Sequence, residues 1–410
     1  MISFNKYLIE AKNTHMEHLE DNVLNGGVDG ARQSINFLQS LRDMLAGHSN
    51  VKLNTTVKWD GAPAIFAGID PRDGKFFVAK KGIFNKNPKV YKTPAEVRAD
   101  TSGDLAEKLL ICLKYLPELG IKGVIQGDLM FTQSDLTVQE IGDEPCVTFH
   151  PNTIVYAIPT KNKLAKQIQS AKMGIVWHTT YAGKSFETMK ASFGKNIKGK
   201  LTPSKNVWFD DATYRDVTGT ATMTSEETAH MTSILSKAGT VFSSIPASIL
   251  NQISENEQLL IMIKTFNNSK IRAGKLLIGN PDSHTTELVD FIGSRLRKEL
   301  ESKKTDKAKE AAKERQTDVM KFFVNNPKVQ INKVFELMKL LIEAKSIVVS
   351  KMNKAEGIST FLKTAIGFMA TSQEGYVAID HTGKNAVKIV DRLEFSRANF
   401  SPEILKGWQK

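Results

Sequence analysis

The stretch VKLNTTVKWDGAPAIFAGI, residues 51–69, decides how the rest of the sequence is interpreted. Its first seven residues alternate between apolar or β-branched and more polar side chains, which predicts a half-buried strand. Asp60 and Gly61 then form a turn signal, and AIFAGI (64–69) predicts a second strand. Lys58 therefore lies at a strand end beside a tight loop. A lysine that is desolvated or near other cations has a lowered pKa and can act as a nucleophile; the alternative is a structural lysine before a β-turn.

Further strand-like runs follow, interrupted by one predicted helix at about 94–116. They are KFFVAK (75–80), GVIQGDLMF (123–131), TIVYAI (153–158), GIVWHTTY (174–181), GYVAID (375–380) and AVKIVD (386–391). A mixture of helices with short strands of this kind predicts an α+β fold built on a mainly antiparallel sheet.

Three parts are predicted from these patterns. They are an N-terminal helical segment (1–48), a strand-rich domain formed by 49–183 and 371–410, and an insertion (184–370) made of a basic loop and helices. The strands are predicted to stop where the insertion begins. The apolar periodicity within it, including 359–370, predicts amphipathic helices.

The composition excludes several classes of protein. The 410 residues are 41% hydrophobic and 24% charged, unlike a collagen-like, mucin-like or wholly disordered chain. No apolar run approaches the length of a membrane-spanning helix, and the charged N-terminal sequence lacks the apolar stretch of a signal peptide. We therefore expect a cytoplasmic protein without a membrane partner. Cys112 and Cys146 lie in apolar stretches, where buried and inert thiols are expected.

The charge balance favours polyanionic partners. Fifty-six basic residues against 44 acidic ones leave a net charge of +12, which suits nucleic acid, nucleotides or an anionic surface. The predicted basic loop carries Lys184, Lys190, Lys195, Lys198, Lys200 and Lys205. These lysines could follow a phosphate backbone, or they could simply keep an exposed loop soluble.

Three charged residues lie in otherwise apolar strands. Asp128 lies within GVIQGDLMF, Glu374 opens the strand EGYVAI, and Lys388 is flanked by apolar residues in AVKIVD. A carboxylate or ammonium in such a strand needs a partner or a function. Together with Lys58 they are the groups that nucleotidyl transfer requires. One amine attacks the α-phosphate, the carboxylates hold Mg²⁺ and the ribose, and the second ammonium neutralises phosphate charge.

The order of six strings carries a resemblance to a known family. KWDG, VAKKGIF, IQGDLMF, TIVYAI, EGYVAI and AVKIVDR together resemble the covalent nucleotidyltransferase superfamily of ATP-dependent DNA and RNA ligases and mRNA capping enzymes. The pairing of EGYVA with VKIV looks most like the RNA ligases of T4-type phages, and it also resembles a group of proteins of large tailed phages. The resemblance covers about 50–183 and 372–400. It implies an adenylation domain with an ATP-grasp-like fold, ATP and Mg²⁺ as cofactors, and the host cytoplasm as location if the protein is phage-encoded.

The resemblance also implies residue roles. Lys58 would attack ATP to form lysyl–AMP, while Asp60 and Gly61 would shape that loop and contact the nucleotide. Lys388 would be the lysine that contacts the α-phosphate. Glu374 would be the metal-linked carboxylate.

Three further positions are implied, two of them with alternatives. Lys81 matches the basic residue near phosphate or ribose, with Lys80 as the alternative. Asp128 matches the acidic residue that holds the ribose and helps to place the metal, where Glu is more usual. Tyr156 matches the aromatic residue that stacks on adenine, with Phe149 as the competing candidate. Separately, strand alternation places Trp177 and His178 on opposite faces, so at most one of them faces the nucleotide.

Some features depart from the family pattern. Val390 stands where the family usually has a second lysine, and too few residues follow the last motif for the OB-fold of DNA ligases. The helices lie between the third and fourth motifs. The sequence predicts an ATP-dependent polynucleotide ligase, RNA being favoured over DNA. The alternatives are a non-catalytic nucleotide- or nucleic-acid-binding phage accessory protein, and nucleotide transfer to a protein or small molecule. The oligomeric state stays open.

Overall fold

The computed structural model describes residues 17–47, 53–85, 87–142, 144–193, 196–213, 222–353, 358–365, 367–380 and 386–409. The fold is α+β with mainly antiparallel sheets, as the sequence predicts.

The strands in chain order are β1 (Leu53–Val57), β2 (Ala64–Ile69), β3 (Phe76–Ala79), β4 (Val124–Thr132), β5 (Thr137–Ile141), β6 (Glu144–Phe149), β7 (Ile154–Pro159), β8 (Met173–Ala182), β9 (Lys190–Phe193), β10 (Val207–Asp211), β11 (Ser359–Thr364), β12 (Gly367–Ala370), β13 (Tyr376–Asp380) and β14 (Ala386–Ile389). The longer helices are α1 (Gly27–Leu45), α2 (Pro94–Asp100), α3 (Gly103–Tyr115), α4 (Lys163–Ser170), α5 (Ser225–Ser243), α6 (Ala247–Glu255), α7 (Glu257–Arg272), α8 (Pro281–Ser302), α9 (Asp306–Asn325), α10 (Lys328–Met352) and α11 (Arg392–Phe400).

The strands form three sheets in the described part of the chain. One has the order β1-β13-β14 and is antiparallel throughout. A six-stranded sheet has the order β10-β8-β4-β2-β3, with β9 also paired to β8, and only the β10–β8 pair is parallel. The third sheet, β12-β11-β7-β6-β5, is antiparallel. The strand runs predicted between 51 and 181 and after 375 are confirmed within one or two residues at each end.

Two predictions about the insertion are wrong. The apolar segment 359–370 forms β11 and β12 rather than a helix, and β9 and β10 continue the strand pattern beyond residue 183. In β11 the buried residues are Thr360 and Leu362, so the period is two. Short apolar runs fit either periodicity, and pairing with β7 decides the outcome here. Lysine-rich composition hides β9, which has only four residues.

One hydrophobic core joins the helices to the three-stranded sheet. It contains apolar side chains of α1 and of α5 to α10, together with Tyr376, Ala378, Val387 and Ile389. The N-terminal segment and the predicted insertion therefore share a core with strands that carry the nucleotidyltransferase-like motifs. Because side chains alternate along a strand, the opposite face of this sheet presents Val377, Ile379 and Lys388.

Other predictions from composition concern membranes and thiols. In the ranges that the structure describes, no helix combines the length and the apolar character needed to span a membrane. Cys112 and Cys146 are both buried and unpaired, and burial raises the pKa of the Cys112 thiol to about 12.

A buried histidine predicts how stability depends on pH. His284 on α8 is 1% exposed and lies against the rings of Phe266 and Phe335. Burial lowers its pKa to about 4, whereas an unfolded histidine takes up its proton near pH 6.5. The free energy of unfolding should therefore fall as the pH drops from about 6.5 to 4. We expect His284→Phe to lose less stability over this range, by up to roughly 3 kcal/mol, in urea denaturation at the two pH values.

His230→Phe, at an exposed position of α5, is the control and should follow the wild type. Equal pH dependence of the wild type and His284→Phe would contradict this expectation.

Candidate functional site

A cavity of about 750 Å³ lies between the three-stranded and the six-stranded sheet. Its volume is within the range of sites that bind small molecules. The three-stranded sheet contributes the strand end at Lys58 and the apolar face that carries Lys388. The six-stranded sheet contributes side chains of β4, β8 and β9, and the turn Lys81–Phe84 closes one side.

Lys58 and Glu374 meet at the edge of this cavity. The Lys58 backbone N–H donates to the Gly375 carbonyl oxygen at 2.7 Å, which continues the β1–β13 pairing past the strand end. The Lys58 ammonium forms an ion pair with the Glu374 carboxylate, and the Glu374 side chain is only 9% exposed. The pairing of the two strands thus brings together two predicted site residues from opposite ends of the sequence.

Burial changes the proton affinity of these groups. It raises the pKa of the Glu374 carboxyl to about 7, although the Lys58 ammonium acts in the opposite direction. Burial and the nearby Lys58 ammonium together lower the pKa of Lys388. Two ammonium groups, those of Lys58 and Lys388, thus line the cavity, and the buried Glu374 carboxylate lies beside Lys58 at its edge.

Asp60 holds the loop after Lys58 and does not line the cavity. Its carboxylate is 3% exposed and accepts hydrogen bonds from Asn152 Nδ2 (2.6 Å), Thr153 N (2.7 Å) and Ile154 N (2.8 Å). Burial raises its pKa, and these hydrogen bonds oppose that effect. The carboxylate therefore shapes the loop, as predicted for Asp60, whereas the predicted contact with a nucleotide stays a prediction.

Gly61 allows the loop to lie directly against β4. A Cβ atom at this position would be 2.6 Å from Asp128 Cβ and 2.9 Å from Met130 Sδ. The next residue is fixed as well, because the Ala62 N–H donates to the Leu129 carbonyl oxygen at 2.9 Å. Gly61 thus allows the loop after Lys58 to pack closely against Asp128.

Asp128 lies on the cavity wall next to a histidine. The His178 Nε2 atom is 3.6 Å from Asp128 Oδ2, and His178 Nδ1 is 2.7 Å from Thr179 Oγ1. Trp177 faces the opposite core and is fully buried, so His178 is the member of that pair that lines the cavity. Strict alternation predicts that Thr179 points away. A β-bulge opposite Gln126 and Gly127 instead places His178 and Thr179 on the same wall.

The structure distinguishes between Lys81 and Lys80. Lys81 lines the cavity. The Lys80 ammonium lies 3.7 Å from Asp100 Oδ2 and 5.8 Å from the centre of the Tyr91 ring, away from the cavity wall. Of the two alternatives, only Lys81 is in a position to contact a ligand there.

Tyr156 and Phe149, the two candidates for an adenine contact, do not line this cavity. Both are fully buried in the third sheet, where their rings stack at 5.2 Å. The Tyr156 hydroxyl instead accepts a hydrogen bond from the Asp60 backbone N–H at 2.8 Å. The sequence pattern identified β7 as a strand but could not show that it pairs with β6 and β11, outside the cavity.

Four other aromatic residues line the cavity, namely Trp59, which follows Lys58, and Phe84, Tyr181 and Phe193. The Tyr181 hydroxyl donates to Gln126 Oε1 at 2.7 Å, and its ring lies 5.2 Å from that of Phe84. Strict alternation from His178 would place Tyr181 on the opposite face, so only the bulge before Thr179 brings Tyr181 to the cavity wall.

Asp128 and Glu374, the two predicted metal ligands, differ in how accessible their carboxylates are to a metal ion. Within the described ranges, no group of three or more His, Cys, Asp or Glu side chains is arranged to hold a metal ion. Mg²⁺, however, is commonly held by one or two carboxylates together with phosphate oxygens and water. Asp128 on the cavity wall fits such an ion arriving with a nucleotide. Glu374 fits only if its ion pair with Lys58 opens.

The remaining sequence features lie around the site. Val390 is 1% exposed and packs against Gly375, so the position that bears a lysine in the resembling family is apolar here. Among the lysines of the predicted basic loop, Lys198 pairs with Asp210 at 3.0 Å. Four others are exposed, namely Lys184, Lys190, Lys200 and Lys205. Lys195 lies outside the described residues.

The close approach at Gly61 gives a testable prediction. In Gly61→Ala the added methyl group meets Asp128 and Met130, so the loop or β4 must move. We expect the free energy of unfolding to fall by about 1–3 kcal/mol, as in other overpacked sites. Gly293→Ala on α8 is the matched control, because nothing lies within 4 Å of its added methyl group. Urea denaturation of both variants measures the difference, and equal stabilities would show that Gly61 is not sterically required.

Comparison with known proteins gives a family but no activity. No curated protein and no solved structure matches the sequence. Residues 13–404, nearly the whole chain, match a family of unknown function. The protein belongs to this family, DUF6267.

Proposed function

We propose that this protein is an ATP-dependent nucleotidyltransferase that forms a covalent lysyl–AMP on Lys58. The observation that carries the proposal is that Lys58 and Lys388 line one cavity of about 750 Å³, while Glu374 forms an ion pair with Lys58 at its edge. A reactive amine, a carboxylate beside it and a second ammonium are the groups that attack on an α-phosphate requires.

The first step balances with these groups. The Lys58 ammonium gives up one proton to Glu374, its ion-pair partner. The free amine attacks the α-phosphorus, a nitrogen–phosphorus bond forms, and the bond to the oxygen that bridges to the β-phosphate breaks. Pyrophosphate leaves with that electron pair and takes up the second proton of the attacking nitrogen, so a phosphoramidate remains on Lys58, and Lys388 neutralises charge on the phosphate. A magnesium ion held by Asp128 would further neutralise the phosphates, and Glu374 would serve as a ligand only while it is ionised and its ion pair is open.

The cavity has a polarity that suits a nucleotide. Along β4, Asp128 lies beside the Lys58 loop, whereas Val124, four residues earlier, pairs with Tyr181. At roughly 3.3 Å per residue the two positions are about 13 Å apart. Phosphates therefore belong at the lysine end and the base at the aromatic end formed by Phe84 and Tyr181, with the sugar between them near Asp128 and His178.

The proposed acceptor is a polynucleotide 5′-phosphate, with RNA favoured over DNA. AMP would pass from Lys58 to that phosphate, and attack by a 3′-hydroxyl would join the strands and release AMP. The net charge of +12 and the exposed lysines near β9 support a polyanionic acceptor. A second candidate, a non-catalytic nucleotide-binding protein, is favoured by Val390, because the cavity has one ammonium fewer than the resembling family.

Covalent labelling tests the first step. We expect incubation with α-³²P-ATP and Mg²⁺ to leave a label that survives denaturing electrophoresis. Lys58→Arg should abolish it, because a guanidinium is not nucleophilic. Lys80→Arg is the matched control and should keep the label, since Lys80 lies beside Asp100 and Tyr91 outside the cavity. A label that persists in Lys58→Arg would mean that the nucleophile is another residue.

The second candidate has a different outcome. Wild-type protein that binds ATP in calorimetry, yields no label, and shows by mass no AMP already attached would support the non-catalytic protein. Absence of both binding and label would contradict both candidates.

The aromatic end gives a prediction for binding. Stacking of a base on an aromatic ring contributes about 1–3 kcal/mol, so we expect Tyr181→Leu to weaken ATP binding by roughly 5- to 150-fold. Binding of inorganic tripolyphosphate, which has no base, should stay unchanged and serves as the internal control. Calorimetry with both ligands makes the comparison. Equal losses for the two would show that Tyr181 supports the cavity rather than the base.

A further inference from the structure

The segment Glu17–Asp21, which we call the N-terminal clamp, lies against the free edge of β14. One edge of β14 pairs with β13, where Lys388 is opposite Val377. On the other edge, the Lys388 backbone N–H donates to the Glu17 carbonyl oxygen at 2.9 Å, and His18 forms a parallel bridge with Lys388. The backbone of Lys388 is therefore held from both sides.

Buried charges fix the clamp in place. Glu20 is fully buried, and its Oε2 atom accepts a hydrogen bond from the Lys345 ammonium of α10 at 2.6 Å. Arg392, four residues after Lys388, reaches Glu20 Oε1 at 3.5 Å and Asp21 Oδ1 at 2.8 Å. Burial by itself raises the pKa of the Glu20 carboxyl, but Lys345, His18 and Arg392 together lower it to about 2. Glu20 thus carries a charge at any physiological pH.

The buried ion pairs of the clamp can form in only a few arrangements of their side chains. A buried carboxylate is stable only while its cationic partners stay within hydrogen-bonding distance, and removal of one partner leaves an uncompensated charge. Glu20 and Asp21 therefore tie the clamp to α10 through Lys345 and to Arg392, the first residue of α11, which begins three residues after β14 ends.

Lys388 depends on this support. Among the described residues, no carboxylate lies within ion-pair distance of its ammonium, although the side chain lines the cavity. Its position is therefore set by the backbone of β14 rather than by a side-chain partner.

We propose that Glu20 is a positioning residue that holds Lys388 where it contacts the phosphates of a bound nucleotide. The proposal rests on the proposed function for the identity of the ligand. The N-terminal clamp contacts the edge of β14 and does not line the cavity. It therefore controls affinity for the phosphates of the ligand and leaves affinity for the base unchanged.

A comparison of two ligands tests this role. We expect Glu20→Gln and Lys345→Met to weaken ATP binding by about tenfold or more, as for loss of a charged hydrogen bond, while adenosine binding stays unchanged. Lys351→Met is the matched control, because Lys351 lies on the same helix and pairs with Glu227 at 2.7 Å. It should alter neither ligand. Equal losses of ATP and adenosine, or no loss of either, would overturn the positioning role.

A second measurement does not depend on the ligand. Hydrogen exchange at the Lys388 amide reports directly on its bond to Glu17. We expect faster exchange in Glu20→Gln than in Lys351→Met, and an unchanged rate would overturn the proposal. Wild-type protein that binds neither ligand would contradict the proposed function, while the exchange rates would still decide whether the clamp holds β14. If Glu20→Gln does not fold, the double variant Glu20→Gln/Lys345→Met, which removes both charges of the closest pair, takes its place in both measurements.

Discussion

The antiparallel pairing of β1 with β13 is the interaction on which the rest of the site depends. It joins a strand that starts at Leu53 to one that ends at Asp380, so helices α5 to α10 of the core lie between them in the sequence. One face of the resulting sheet is buried against the helices through Tyr376 and Ala378, and the other faces the cavity. The helical core thus stabilises the strand pairing that brings Lys58 to Glu374, although no helix of that core forms the cavity wall among the residues that the structure describes.

A site residue could be selected from the sequence where the reason lies in its own strand. It could not be placed where its position depends on a distant partner. Lys58, Glu374 and Lys388 could be selected because each is a charged residue in or beside an apolar strand, a local feature. Tyr156 was selected only through the family resemblance, and its strand belongs to another sheet. His178 and Thr179 share the cavity wall because of a bulge, which alternation cannot predict. Strand order and bulges are set by tertiary packing, so these side chains could not be placed from sequence.

The clamp illustrates the same limit from another direction. The residues that matter for β14 are Glu20 and Asp21, whose partners Lys345 and Arg392 are more than 300 positions away. From the sequence alone, a glutamate in a charged N-terminal segment is expected to be exposed to solvent. Only the tertiary structure shows that it is fully buried and paired.

Val390 is best understood through the cost of placing like charges together. Lys58 already contributes to the lowered pKa of Lys388, and Glu374 is the one carboxylate paired with Lys58 in the described part of the site. A third ammonium at position 390, which is 1% exposed, would be desolvated close to those of Lys58 and Lys388. Valine instead packs against Gly375, whose φ of +139° and close contact with Val390 leave no room for a side chain. Under the proposed function, the charge needed for phosphates would therefore fall on Lys388 and Lys81. With no second lysine at position 390, phosphate binding would depend more strongly on the position of Lys388, and hence on its support by the N-terminal clamp.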